Sequence, residues 1–355
     1  MGAPNLALIV SLISALLTAA ICLRAAEIAN RTGLIDRPDG SRKLHSEDTP
    51  LVGGLAVLFP TFALALVYFG IEGMEPFVAS ALVACAVILA VGIEDDRVSL
   101  SVHVRFLALA GVVLSALFVE PLFILHALRL KTLGFEIGFG IFAVPITLTI
   151  LVGFVNAVNM ADGINGQLLG SVLVWCSFII IYSHPETRMP FFVLMASSSV
   201  ALVFNLKGKL FSGSAGSYAL PLFVGLSAIA VYRYSNGRLS AELPALWFWL
   251  PVVDCVRLFA WRMAKRRSPF SSDRNHLHHV LLENLGPQGA LIAYLILLAI
   301  PGLVAIQNDS WGDVALLLCL SCYIFAIGGG MARLRSGLSR GKGLPHAKTE
   351  NGGIG

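Results

Sequence analysis

The sequence predicts an all-α, polytopic bundle of about 11 transmembrane helices, and three observations lead there. Of the 355 residues, 57% are hydrophobic and only 13% are charged, with a mean hydropathy of +0.81. A soluble domain carries about 25% charged residues, so the polar surface needed to cover a water-soluble globule is missing. The apolar residues fall in continuous runs close to the ~20 residues a helix needs to cross a bilayer. None of these runs shows the apolar/polar alternation of a lipid-facing strand, which argues against a barrel.

The runs lie at 5–23, 51–70, 77–93, 103–120, 139–155, 166–183, 190–205, 214–232, 243–260, 288–306 and 313–332. No positively charged segment precedes Leu6–Leu23 and no clear cleavage site is tied to it, so it is read as a retained span rather than a signal peptide. Pro145 is expected to kink the span at 139–155, and Pro121–Leu130 reads as a half-helix or an interfacial segment. Residues 1–333 are read as one membrane-embedded domain, and the Gly- and Lys/Arg-rich residues 334–355 as a disordered basic tail. The six cysteines follow no disulfide pattern. Cys319 and Cys322 sit in an apolar run without polar neighbours and are read as packing residues.

Basic residues set the expected orientation. The loops 24–50, 94–105, 156–165, 206–213 and 257–287, with everything from residue 333 on, hold all 25 Lys and Arg residues except Arg129, Lys131, Arg188, Arg233 and Arg238. That side is expected to be cytoplasmic, with the N-terminus outside and the C-terminus inside. The other unusual polar clusters fall on the same side. Such a distribution suits an enzyme site at the membrane surface, whereas a transporter places its polar groups near mid-membrane.

Four clusters carry chemistry. Asp95-Asp96-Arg97 ends the third run; adjacent carboxylates suit Mg²⁺, which takes a few carboxylates, waters and substrate phosphates, and otherwise form a solvated cap with Arg97 as counter-ion. The stretch Asn156-Ala-Val-Asn159-Met-Ala-Asp162-Gly163-Ile-Asn165-Gly166 offers amides and a carboxylate for a metal and a nucleotide, with Asn156, Asn159 and Asp162 on one helix face. Asp273-Arg274-Asn275-His276-Leu277-His278-His279 lies beside Arg262, Lys265, Arg266 and Arg267; phosphate contact is favoured there over a zinc site, with His276 and His279 facing one way. Phe211-Ser212-Gly213-Ser214-Ala215-Gly216-Ser217 opens a helix whose free N–H groups suit an anion.

In this order, with Arg42-Lys43-x-His45, Thr49-Pro50, Gly53-Gly54 and PVVDCVRLFAWR from Pro251, these segments resemble the polyprenyl-phosphate N-acetylhexosamine-1-phosphate transferase family (glycosyltransferase family 4). The HxHH form at His276–His279 is similar to the branch using UDP-N-acetylglucosamine and undecaprenyl phosphate. The resemblance spans residues 35 to 285. It implies transfer of N-acetylhexosamine 1-phosphate from a UDP-sugar to polyprenyl phosphate, with release of UMP and initiation of a cell-envelope glycan such as O-antigen. It also implies Mg²⁺, replaceable by Mn²⁺, as cofactor. The implied setting is the bacterial inner membrane, with no nucleic-acid partner and with homo-oligomerisation left open. Carried over residue by residue, Asp95, Asp96 and Asp162 are the expected catalytic carboxylates, Asp96 and Asp162 holding the metal. Asn156, Asn159 and Phe211 are expected to bind the nucleoside of the donor. His276, His278 and His279 are expected to bind the diphosphate, Lys43 and His45 are further phosphate contacts, and Asn205 and Arg274 are further substrate-binding residues.

Two positions depart from the family pattern. Asn165 stands where D-G-x-D-G has its second Asp, and Ser214 where G-D-x-G-S has a metal-binding Asp. The loss of two carboxylates motivates a second reading, a catalytically impaired relative serving in binding or assembly. A transporter of lipid-linked or nucleotide sugars is the third.

Overall fold

The computed structural model describes residues 3–38, 47–73, 75–131, 134–268, 275–307, 312, 314–324 and 327. Its helices are α1 (Ala3–Leu23), α2 (Ala25–Thr32), α3 (Gly53–Glu72), α4 (Pro76–Val98), α5 (Val102–Val119), α6 (Ala143–Ala161), α7 (Gln167–Tyr182), α8 (Met189–Leu206), α9 (Gly213–Tyr234), α10 (Glu242–Ala264) and α11 (Leu277–Gln307). A further helical segment, α12, covers Val314–Ile324. Among the described residues, each of the eleven apolar runs overlaps one of these helices, α2 being a short amphipathic addition. Nine of the described helices are long and apolar enough to cross a bilayer, while α7 and α12 are shorter. The chain is a polytopic α-helical membrane bundle.

Local chemistry sets several boundaries. Pro76 opens α4, where its missing N–H costs nothing, and α4 closes on Ser99 in the left-handed region. Ser101 caps α5 by accepting from the Val104 N–H. Pro145 lies within the span Gly140–Ala161 but in the first turn of α6, which starts at Ala143, where the N–H groups have no helical partner to lose and an interior proline's cause of kinking is missing. α11 is broken at Gly286, which adopts φ 70° just before Pro287.

Two small antiparallel pairs interrupt the helices. β1 (Ile35–Asp36) pairs with β2 (Thr49–Pro50). β3 (Ala127–Leu130) pairs with β4 (Phe135–Gly138). The second pair corrects the half-helix expected over Pro121–Leu130. Tyr232 stabilises it, accepting from the Arg129 N–H at 2.9 Å and donating to the Ala127 carbonyl at 3.2 Å.

α9 is the centre of the bundle, with 89% of its spanning window buried, and it packs on α3, α4, α6 and α7. The peripheral helices turn apolar residues outward, for example Leu16 (72% exposed), Leu66, Leu107 and Phe118 (90%). Such exposure is costly in water and neutral in lipid. The loops grouped by their basic residues meet at one end of the bundle, around the N-terminus of α9. The β3–β4 pair and the end of α9 mark the other end, where Phe77 of α4 and His184 lie against Tyr234.

Candidate active site

The site is organised by the entry to α9. The Phe211 N–H donates to the Pro50 carbonyl at 2.8 Å, the Gly53 N–H to the Phe211 carbonyl at 2.8 Å, and the Gly54 N–H to the Ser212 carbonyl at 3.0 Å. α3 therefore starts by donating to the loop that starts α9. The backbones are so close that a Cβ on Gly54 would overlap the Gly216 amide nitrogen, and one on Gly92 of α4 would lie 2.5 Å from Ala215 Cα. These two crossings need glycine because the obstacle is backbone, which cannot rotate away.

The carboxylate pair at the end of α4 splits its duties. Asp96, half-buried, accepts from the Ser214 N–H at 2.7 Å and the Ala215 N–H at 3.1 Å. It thus caps the positive end of α9 from another helix. This corrects the reading of that N-terminus as an open anion site: a protein carboxylate already occupies it. Asp95 is buried. Its Oδ1 accepts from the Leu100 N–H at 2.9 Å, and its Oδ2 from the Tyr218 hydroxyl at 3.2 Å and Arg105 at 3.3 Å. Arg97, the counter-ion expected from sequence, pairs instead with Glu94 on the exposed face. Sequence reasoning missed Arg105 and Tyr218. An arginine at the start of an apolar span is expensive unless paired, and that was the available signal for Arg105.

The amide-rich stretch ends α6. Asn156 turns back on its own helix, donating to the Val152 carbonyl at 2.8 Å. Asn159 donates to Ser217 Oγ at 2.6 Å, joining α6 to α9. The helix stops at Ala161, so Asp162 follows at the C-cap (φ −72°, ψ 76°) rather than continuing the Asn156–Asn159 face. Its half-buried carboxylate accepts from the Leu168 N–H, and burial pushes its pKa up to about 7. Asn205 is buried and closes the next loop from inside. Its Oδ1 accepts from the Gly166 N–H at 2.5 Å and its Nδ2 donates to the Leu210 carbonyl at 2.9 Å. Asn165 is exposed.

The histidine cluster starts α11. His276 and His278 are buried. The His278 ring contacts both neighbours, near-parallel to His276 at 5.4 Å and tilted against His279 at 4.2 Å. The His278 ring also covers Gly163, where any Cβ would overlap Nε2, so the histidines lie directly over the Asp162 turn. His276 Nδ1 is 2.8 Å from Asp254 Oδ2. α10 continues to Ala264, which places Asp254 near its middle rather than at the end of a span, and the histidine segment folds back to reach it. Lys43, His45 and Arg274 lie outside the described residues.

Among the described residues no three His, Cys, Asp or Glu side chains converge to hold an ion. A Mg²⁺ that shares substrate phosphates needs only one or two carboxylates. Asp162 fits that need, because one backbone N–H is all that offsets the burial of its charge. Asp96 fits it less well, both of its oxygens being occupied by α9.

The sequence profile described as glycosyl transferase family 4 matches residues 78–232. The undecaprenyl-phosphate alpha-N-acetylglucosaminyl 1-phosphate transferase of Escherichia coli K12 is 31% identical over 279 residues, covering 73% of this chain and 71% of that protein. The Salmonella typhi protein of the same name is 30% identical over 75% of this chain and 74% of its own length. A probable undecaprenyl-phosphate N-acetylglucosaminyl 1-phosphate transferase of Bacillus subtilis is 28% identical over 90% of this chain and 89% of its own. With a converged polar site at one end of a membrane bundle and relatives of this identity along most of its length, the chain belongs to glycosyl transferase family 4, among the polyprenyl-phosphate N-acetylglucosamine 1-phosphate transferases.

Proposed function

We propose that the chain transfers N-acetylhexosamine 1-phosphate from a UDP-sugar to undecaprenyl phosphate, releasing UMP, at the cytoplasmic face of the bacterial inner membrane. The observation that carries the reading is convergence. The ends of α4 and α6 and the starts of α3, α9 and α11 meet through side-chain and backbone contacts that link Asp96 to Ser214, Asn159 to Ser217 and Gly163 to His278. Family membership and this assembly favour transfer over transport or a purely structural role.

The reaction joins two anionic phosphates, so the site must supply positive charge and alignment rather than covalent chemistry. Mg²⁺ held at Asp162 would neutralise charge on the diphosphate. Arg105 supplies fixed charge nearby: its Nη1 is held by Asp95 and Tyr218, while Nε and Nη2 have no partner among the described residues. Asp95 is buried and fully engaged, so its role is to hold Arg105 toward phosphate rather than to take up a proton. A phosphate monoester is already largely ionised near neutral pH, and its attack on the donor phosphorus needs little base. His276, His278 and His279 bind the diphosphate over the Asp162 turn. Asn159 and Phe211 serve the nucleoside, whereas Asn205 secures the loop.

The test is UMP release by purified protein in detergent, with undecaprenyl phosphate and UDP-N-acetylglucosamine, with and without Mg²⁺. Mg²⁺-dependent release that Asp162→Asn abolishes is the expected result. Folded protein that releases no UMP from any of a panel of UDP-N-acetylhexosamines would refute the proposal.

A further inference from the structure

One buried carboxylate beside the site, Asp254, has no part in the mechanism above. Asp254 is 3% exposed, and its carboxylate has four partners drawn from three helices. Oδ1 accepts from the Tyr323 hydroxyl at 2.6 Å, Arg257 at 2.9 Å and the Leu277 N–H at 3.2 Å. Oδ2 faces His276 Nδ1 at 2.8 Å. The partners also bind one another: Arg257 donates to the Tyr323 hydroxyl and to the Asn275 carbonyl, each at 2.6 Å.

We propose that Asp254 is a positioning residue for His276, fixing the imidazole with Nδ1 protonated and Nε2 as the nitrogen offered to the donor diphosphate. A carboxylate can only accept, so the contact requires the proton on Nδ1. The ring is then held twice, through this bond and by parallel stacking on His278. The Leu277 N–H and the Asn275 carbonyl, one residue to either side of His276, are bound by the same Asp254–Arg257 pair, so the network locks the backbone as well as the ring. Contact with phosphate through Nε2 requires a proton on that nitrogen as well, the doubly protonated ring then donating from both sides. Among the described residues, Asp254 and His278 contact the His276 ring, and Arg257 of α10 and Tyr323 of α12 stand behind Asp254. Tyr323 lies far beyond the 78–232 region that matches the family profile, which makes the last described helix a part of the site's support.

The inference rests on the transferase reading for its effect on turnover, but not for its effect on the histidine. The decisive measurement is the ¹⁵N NMR spectrum of histidine-labelled protein in detergent, with His276 assigned by His276→Gln. Wild-type protein is expected to show the Nδ1-protonated form, and Asp254→Asn to redistribute the proton toward Nε2. In UMP release, Asp254→Asn is expected to lower kcat by roughly tenfold to a hundredfold, the usual effect of losing such a supporting partner. In a His276→Gln background it should add less than about twofold, the limit of independent effects. Should Asp254→Asn fail to fold, Tyr323→Phe takes its place in the same cycle, with a smaller loss that again disappears without His276. Unchanged His276 signals, or equal losses with and without His276, would overturn the proposal. If the wild-type protein releases no UMP, the transferase reading fails, while the NMR comparison still decides the role of Asp254.

Discussion

Asp96→Asn separates two roles that sequence alone cannot distinguish, metal ligand and helix cap. The asparagine keeps one acceptor for Ser214 or Ala215 and loses the other hydrogen bond, which to a charged group is worth about 1.5–3 kcal/mol. It also loses the attraction between a carboxylate and the α9 N-terminus, about 0.3–1 kcal/mol. Part of this is offset because a neutral amide costs less to bury than a carboxylate. The net destabilisation expected is about 1–3 kcal/mol, from the two contacts at 2.7 and 3.1 Å. Reversible unfolding in mixed micelles with increasing SDS, followed by tryptophan fluorescence, measures it. Mg²⁺ titration of the same protein should show an affinity close to wild type. An unfolding free energy within about 0.5 kcal/mol of wild type, together with a collapse of Mg²⁺ affinity, would refute the cap and restore Asp96 as a ligand.

Four further outcomes follow from the same geometry. Gly54→Ala places a methyl group against the Gly216 backbone and should destabilise by at least about 1–3 kcal/mol, read by the same SDS titration; Gly70→Ala on the same helix, where nothing lies within 4 Å, is the control and should change little. Mg²⁺ affinity should depend on pH through Asp162. Its folded-state pKa is raised to about 7, so the carboxyl is protonated below that value and Mg²⁺ must displace the proton. Calorimetric titration should therefore show affinity level above pH 8 and weakening about tenfold per unit well below pH 7; a flat profile would count against Asp162. By the same sign, the stability of metal-free protein should fall as pH rises through 7, and Asp162→Asn should remove that fall. Arg105→Gln should raise KM for the donor or lower kcat by more than tenfold and leave Asp95 buried without its cation, visible as a lower melting temperature.

The bundle was legible in the sequence because lipid imposes one strong rule, a run of about 20 apolar residues per crossing, and each of the eleven runs overlaps a helix. The exceptions have local causes. Pro145 was expected to bend a span, but α6 begins two residues before it, where a missing N–H is harmless. The half-helix reading of 121–130 failed because β3 is held by Tyr232, a hundred residues away, and no local pattern records such a partner.

The polar clusters were legible for a related reason: carboxylates, amides and histidines at the ends of apolar helices have few structural uses, so their types announce chemistry. Which atom does what was not legible, because it depends on which helix end faces which. Asp95 and Asp96 are neighbours with the same side chain, yet one grips Arg105 and Tyr218 while the other caps α9. The departure at Ser214 is understood in the same terms. Asp96 bonds the Ser214 and Ala215 main-chain N–H groups as well as the Ser214 side chain, so the α9 N-terminus keeps its negative partner although residue 214 is not acidic. A carboxylate at 214 would face Asp96 across that contact and need a cation to hold the two together. With serine at 214, the proposed Mg²⁺ rests on Asp162 alone, which predicts a weaker but functional site. Ser214→Asp tests that inference. It should tighten Mg²⁺ binding and lower stability in the absence of metal, whereas an equal loss of stability with and without Mg²⁺ would show that position 214 faces no ion.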